Sequence, residues 1–207
     1  MRSLSKSKIL AFRQCPKRLW LEIHRPESRD DSASAAVFQV GHQVGEIAQI
    51  IYDPEGTGDL ISIEQLGYDG AFALSKTLLA KGAGPIFEAG VKIDGALSFA
   101  DVMLPVRQGD QLAWKMVEVK SSSKVKDYHR DDIALQAYVA TASGVPLSSV
   151  SLAHIDSTFV YPGDDDYRGL LKENDLTEEA LSRSEEARPS YHNITYDNAA
   201  NQVQSTT

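Results

Sequence analysis

A run of three strand-like segments separated by glycine-containing turns constrains the fold of this chain more than any other feature. The segments are Ile86–Ile93, Ala96–Val106 and Leu112–Lys120. Asp94-Gly95 separates the first two, and a turn with a glycine at its centre (residues 107–111) separates the last two. Because Asp-Gly is a strong hairpin signal, the three segments are predicted to pair as an antiparallel meander.

The segments around this meander set the fold class. Asp127–Ala142 is the strongest helix pattern in the chain, and Val150–Tyr161 reads as a further strand. A helix between two strands favours a parallel crossover. With amphipathic helices over Ala35–Ile51 and Asp69–Ala80, the sequence predicts an α/β fold with a mixed β-sheet flanked by helices.

The central hairpin carries three charged residues that could act together. Asp101 lies in the first strand of the hairpin, and Glu118 and Lys120 end the second. Successive strand residues face opposite sides, so Glu118 and Lys120 should share one face, with Val117 and Val119 on the other. Two carboxylates suit a hard divalent cation, and a nearby ammonium group can orient a water or a phosphate oxygen.

The alternative is that Glu-x-Lys is simply a solvated strand face, which is a common arrangement. Asp101 argues for the site because it interrupts a mostly apolar run, and a lone buried carboxylate is costly without a partner or a metal.

Three other features have two interpretations each. His42, four residues before Glu46 on a predicted helix, is either a structural histidine or a metal ligand. The basic loop Ser121–Lys126 either folds over a phosphate or is an ordinary connection. Cys15 is expected to be a buried small side chain rather than a ligand or a nucleophile.

Charge is distributed unevenly along the 207 residues, whose formal net charge is -8. Residues 1–25 carry seven lysines and arginines against one acid, whereas the chain from residue 164 carries ten acids against four bases. The acidity is therefore largely C-terminal, and the N-terminal part could still face phosphates. No apolar run approaches the roughly 20 residues of a membrane span, so we expect a cytoplasmic protein without a membrane partner.

Composition also suggests how the chain is divided. We expect an N-terminal helical segment over residues 1–34, a core over 35–162, and an acidic, partly disordered C-terminal extension over 163–207. The single cysteine excludes an internal disulfide and a four-cysteine cluster.

The order of these motifs resembles the PD-(D/E)XK nuclease superfamily, in particular its RecB-like branch. The matching residues are Gly41-His42, Asp101, Glu118-Val119-Lys120 and Gln136-Ala137-Tyr138. The opening segment from Leu4 to Trp20 is similar to the one shared by that branch and the CRISPR adaptation nucleases. The spacing of Gln136 and Tyr138 is narrower than is usual in the family.

The resemblance implies a restriction-endonuclease-like core and a divalent-metal-dependent DNA nuclease. It implies that Mg²⁺ or Mn²⁺ is bound by His42, Asp101, Glu118 and the carbonyl group of Val119. The catalytic residues that it implies are Asp101, Glu118, Lys120, Gln136 and Tyr138. The CRISPR-type relatives hold an iron–sulfur cluster with four cysteines. No such cluster is expected here, because this chain has only Cys15.

The expected partner is DNA, either single- or double-stranded. The chain also resembles the N-terminal part of longer proteins that continue into an exonuclease-like domain, which implies a second nuclease-like domain or a protein partner. The alternative function is a nucleic-acid-binding or assembly module with a nuclease fold and little activity of its own.

Overall fold

The computed structural model describes residues 4–28 and 34–183. The strands are β1 (Leu4–Ser5), β2 (Asp59–Leu60), β3 (Ile86–Ile93), β4 (Ala96–Gln108), β5 (Gln111–Lys120), β6 (Leu147–Ile155) and β7 (Leu171–Asp175). The helices are α1 (Lys6–Gln14), α2 (Pro16–His24), α3 (Ser34–Tyr52), α4 (Ile63–Lys81) and α5 (Asp127–Ala142), with a 3-10 helix at Pro26–Ser28. Residues 177–183 are also helical.

The strands form one mixed sheet in the order β2-β3-β4-β5-β6-β7, and β1 pairs with β4 beside this path. β3, β4 and β5 are antiparallel neighbours, as the meander predicted. α5 then carries the chain to β6, which runs parallel to β5. The predicted α/β fold with a mixed sheet flanked by helices is therefore confirmed.

Apolar side chains cover both faces of this sheet. Trp114 and Met116 of β5 belong to the larger core, which α4 and α5 cover. Val117 belongs to a smaller core on the other face, where α3 packs against β4 and β5. Glu118 thus shares the face of Met116, as the alternation along the strand predicted.

The sheet forks beside Asp101. β4 pairs with β5 only from Val102 onward, whereas its first two residues, Ala96 and Leu97, pair with β1. β3 pairs along the other edge of β4 over most of this length. β1 and β5 therefore pair with the same edge of β4, β1 near its start and β5 from Val102 onward. The gap that this leaves between β1 and β5 is called the fork below.

The β3–β4 ladder is irregular at the same level. Phe87 pairs with Val102 and Ala89 with Ala100, so that Glu88 and Asp101 face each other without a ladder pair. Glu88 has a φ of 57°, which is uncommon for a residue other than glycine. A simple alternation of faces therefore does not hold for either carboxylate.

The N-terminal helix differs from its prediction at both ends. The sequence from Leu4 to Cys15 reads as one helix, but Leu4 and Ser5 pair with β4, so α1 begins at Lys6. Cys15, which we expected to be buried, is exposed between α1 and α2.

The last predicted strand is shorter than expected. β6 ends at Ile155 instead of continuing to Tyr161. Asp156 Oδ1 accepts hydrogen bonds from the backbone N–H (2.9 Å) and the hydroxyl (2.7 Å) of Thr158, and this local turn replaces the extended backbone.

The sheet extends past the predicted core boundary at residue 162. β7 pairs with β6, and Leu176 and Ala180 are buried in the larger core. Arg183 forms an ion pair with Asp131 of α5 (3.0 Å), which attaches the helical residues 177–183 to that helix. The predicted disorder of the tail from residue 184 lies outside the described residues.

Within the described ranges, no helix combines the length and the apolar character that crossing a bilayer requires.

Candidate functional site

Glu118 is the centre of a cluster of charged side chains at the fork. Its side chain is 1% exposed, and its Oε1 atom accepts hydrogen bonds from the ammonium groups of Lys6 (3.0 Å) and Lys120 (2.5 Å). Its Oε2 atom accepts a hydrogen bond from the amide Nε2 of Gln136. Three donors from three parts of the chain therefore hold one buried carboxylate.

Asp101 lies next to Glu118 across the fork. Its Oδ2 atom accepts a hydrogen bond from the backbone N–H of Val119 at 2.7 Å. The regular β4–β5 pairing ends at Val102 and Val117, so this side chain supplies the acceptor that β4 backbone no longer offers. The divergence of the two strands thus fixes Asp101 beside the Glu-Val-Lys segment.

α5 contributes Asp132 and Gln136, which are four residues apart and lie on one buried face of the helix. Asp132 Oδ2 accepts a hydrogen bond from Lys120 at 2.6 Å, and its Oδ1 lies 3.0 Å from the ammonium group of Lys6. Lys6, Glu118, Lys120 and Asp132 therefore alternate in charge around a closed circuit, which we call the charge ring.

The pKa values follow from this arrangement. Burial alone would raise the pKa of Glu118, but the ammonium groups of Lys120 and Lys6 outweigh it and hold that pKa far below its ordinary value. Burial would likewise lower the pKa of both lysines, but their carboxylate neighbours raise it. The pKa of Asp101 is well above its ordinary value, because of burial first and the charge of Glu118 second. The same two causes raise the pKa of Asp132.

The first-motif residue, His42, is more peripheral. Its side chain is exposed on α3, and it interacts electrostatically with Glu88. Burial and the charge of Glu118 raise the pKa of Glu88, and Lys6 and His42 partly counter this. Glu88 therefore borders the charge ring and interacts electrostatically with His42 as well.

The two residues of the last motif are placed differently. Gln136 reaches Glu118 directly. Tyr138 follows two positions later, about 200° further around the helix, and is one of the buried residues of the larger core. The structure therefore brings Gln136 to the carboxylates and places Tyr138 in the packing beneath them.

Sequence reasoning missed Lys6 and Asp132. Glu88, on the strand before the central hairpin, reads in the sequence either as a border of the site or as a solvent-facing residue, and in the structure it borders the charge ring. Lys6 looked like one of several lysines at the start of the chain, and its role depends on the pairing of β1. Asp132 could have been found, because it precedes Gln136 by one helical turn on a face that is otherwise apolar.

The residues at the fork fit a hard divalent cation by chemistry and by charge. The cluster holds four carboxylates, which belong to Glu88, Asp101, Glu118 and Asp132. Two ammonium groups are present for these four carboxyl groups, and burial and the charge of Glu118 raise the pKa of the other three, Glu88, Asp101 and Asp132. A bound cation would offset the repulsion among them. Carboxylate oxygens suit Mg²⁺ and Mn²⁺, and Mg²⁺ commonly uses one or two carboxylates and keeps several waters.

Side chains alone do not supply a complete set of metal ligands in the described part of this cluster. Among residues 4–28 and 34–183, no three His, Cys, Asp or Glu side chains are grouped so that they could hold a metal ion. The fitting set is Asp101 and Glu118, completed by a backbone carbonyl and water.

No protein-family model matches the chain, and no curated protein matches it. One solved structure, described as the crystal structure of SSO0001, is similar over 90% of this chain and 74% of that chain, with 14% sequence identity and a TM-score of 0.36.

Proposed function

We propose that this protein is a divalent-metal-dependent DNA nuclease with a restriction-endonuclease-like core, of the RecB-like branch of the PD-(D/E)XK superfamily. The observation that carries the proposal is the fork, where Asp101, Glu118 and Lys120 come together on neighbouring strands. Gln136 joins them from the helix that follows, in the order that the resemblance implies.

Asp101 and Glu118 would hold the metal ion, with the carbonyl group of Val119. The bound cation would supply charge neutralisation at the scissile phosphate and lower the pKa of a bound water. Lys120 would orient the attacking water or a phosphate oxygen through its ammonium group. Its side chain is 23% exposed, so that it reaches solvent while Glu118 does not.

Two residues on α5 would support these roles without touching the substrate. Asp132 fixes the ammonium group of Lys120, and Gln136 fixes one oxygen of Glu118. Lys124 and Lys126, in the loop between Lys120 and α5, are exposed and available to phosphates. We assign no chemical role to Tyr138.

One observation favours the second candidate, a nucleic-acid-binding or assembly module with little activity. Both oxygens of Glu118 already accept hydrogen bonds from Lys6, Lys120 or Gln136. A metal ion must share these oxygens with the side-chain donors, which weakens its binding.

The two functions are separated by cleavage of end-labelled single- and double-stranded DNA with Mn²⁺, Mg²⁺ or EDTA. We expect products only with metal, and a loss of about 10²–10³-fold in rate for Lys120→Ala, because that variant removes a group aimed at the developing charge. Lys92→Ala is the control, since Lys92 lies on β3 over the ring of Phe72 and takes no part in the charge ring. Binding without products would favour the module, and full activity of Lys120→Ala would refute the mechanism.

A further inference from the structure

Lys6 enters the fork from a part of the chain that carries none of the predicted site residues. It follows β1 directly, and the pairs Leu4–Ala96 and Ser5–Leu97 fix β1 against β4. It is also the first residue of α1, which packs against α5. Backbone pairing on one side and helix packing on the other therefore determine where its ammonium group lies.

The ammonium group of Lys6 contacts the same two carboxylates as that of Lys120. Its Nζ lies 3.0 Å from Glu118 Oε1 and 3.0 Å from Asp132 Oδ1. Asp132 Oδ1 is buried and has no hydrogen bond of good geometry within the described residues, and the ammonium group of Lys6 lies 3.0 Å from it.

The ring makes the position of Lys120 depend on Lys6. Glu118 and Asp132 each lie between the two lysines, and their mutual repulsion is offset from both sides. Without Lys6, one ammonium group would have to balance both carboxylates, and these would move relative to each other.

We propose that Lys6 is a positioning residue of the nuclease centre: it holds Glu118, Asp132 and hence Lys120 in place, and its charge weakens the binding of the divalent cation. This inference rests on the proposed function. It adds that the N-terminal segment completes the centre and that one positive charge of the protein competes with the metal ion.

The inference predicts opposite changes in metal binding and in catalysis. Lys6→Met keeps the length of the side chain but removes the charge, so the net charge at the fork becomes more negative. We expect Mn²⁺ to bind about tenfold more tightly, since a unit charge close to the cation is lost. We expect kcat for DNA cleavage to fall about 10²-fold with little change in KM, because the reacting groups are misplaced.

The experiment measures the Mn²⁺ dissociation constant by titration and the kcat and KM of DNA cleavage by the full chain. Lys8→Met is the matched control, since Lys8 lies two residues later on α1 and takes no part in the charge ring. Lys6→Arg keeps the charge but not the shape. It should keep the Mn²⁺ affinity within about twofold and lower kcat about tenfold.

Tighter Mn²⁺ binding together with slower cleavage would support the inference. Unchanged kcat and affinity in folded Lys6→Met would overturn it while the nuclease function stands. A higher kcat together with a higher Mn²⁺ affinity in Lys6→Met would overturn the positioning role, because Lys6 would then only compete with the metal ion. If Lys6→Met does not fold, Lys6→Arg decides, and wild-type kcat in that variant overturns the inference. A wild-type protein that binds Mn²⁺ but does not cleave DNA would refute the proposed function, and the inference with it.

Discussion

Replacing Asp101 by asparagine should stabilise the metal-free protein while removing its metal site. Asp101 and Glu118 follow the last β4–β5 pair, Val102–Val117. Directly opposed residues of antiparallel strands lie ~5 Å apart, and we take this as the lower limit for the separation of the two carboxylates, since the strands diverge there. At an effective dielectric constant of about 20, two unit charges at that separation repel by about 3 kcal/mol. Attraction to Lys6 and Lys120 offsets part of this repulsion.

Asparagine can keep the hydrogen bond from the backbone N–H of Val119, although a neutral acceptor is weaker than a carboxylate by roughly 1 kcal/mol. The net expected gain in the free energy of unfolding is about 1 kcal/mol at pH 7. For a domain of this size that gain raises Tm by about 2–4 °C.

The assay is thermal unfolding followed by circular dichroism, once in EDTA and once in excess Mn²⁺. A ligand at a hundred times its Kd stabilises the folded protein by about 2.7 kcal/mol, so Mn²⁺ should raise the Tm of the wild type by several degrees. Asp101→Asn should respond little, so the order of the two Tm values should reverse between the two conditions.

Asp110→Asn is the control, because Asp110 is exposed in the turn of the same hairpin and should change stability by less than about 0.5 kcal/mol. A lower Tm for Asp101→Asn in EDTA, or an equal Mn²⁺ response in both proteins, would refute the reasoning.

Two further predictions concern stability. The pKa of His129 is lowered to about 4, by burial first and then by Lys120 and Lys126, so the unfolded chain takes up a proton first as the pH falls. This difference should lower the free energy of unfolding of the wild type by roughly 2 kcal/mol between pH 7 and pH 5. Urea unfolding at the two pH values should show a smaller decrease for His129→Asn, and an equal decrease in both proteins would contradict this role of His129. Gly90→Ala should destabilise by about 1–3 kcal/mol in urea unfolding, because its Cβ would lie 2.6 Å from the ring of Phe99. Gly45→Ala, which meets nothing within 4 Å, should not destabilise, and equal losses in both variants would refute the packing argument.

The central hairpin could be predicted because its signals are local. Turn residues set the strand ends, and β3 has the predicted bounds. Period-two alternation placed Glu118 and Lys120 on one face, and their side chains are in contact. α5 also has the predicted bounds, since its helical pattern is uninterrupted.

The rest of the site depends on contacts between distant parts of the chain. Lys6 reaches Glu118 only because β1 pairs with β4, and the sequence from Leu4 to Lys6 reads equally well as the start of a helix. Glu88 and Asp101 lie where the alternation of faces changes phase. Ile86 and Ala89 on β3 belong to the same core although they are three residues apart, and so do Ala100 and Met103 on β4. A period-two pattern therefore could not assign the faces of the two carboxylates.

The pairing of β1 links the charge ring to the folding of the whole chain. The ion pair between Lys6 and Glu118 joins residues 112 positions apart, so the ring cannot form in a nascent chain until β5 and α5 have been synthesised and have docked. β1 is also only two residues long. Its local detachment therefore costs less than global unfolding, and it would take the ring apart while the long strands stay paired.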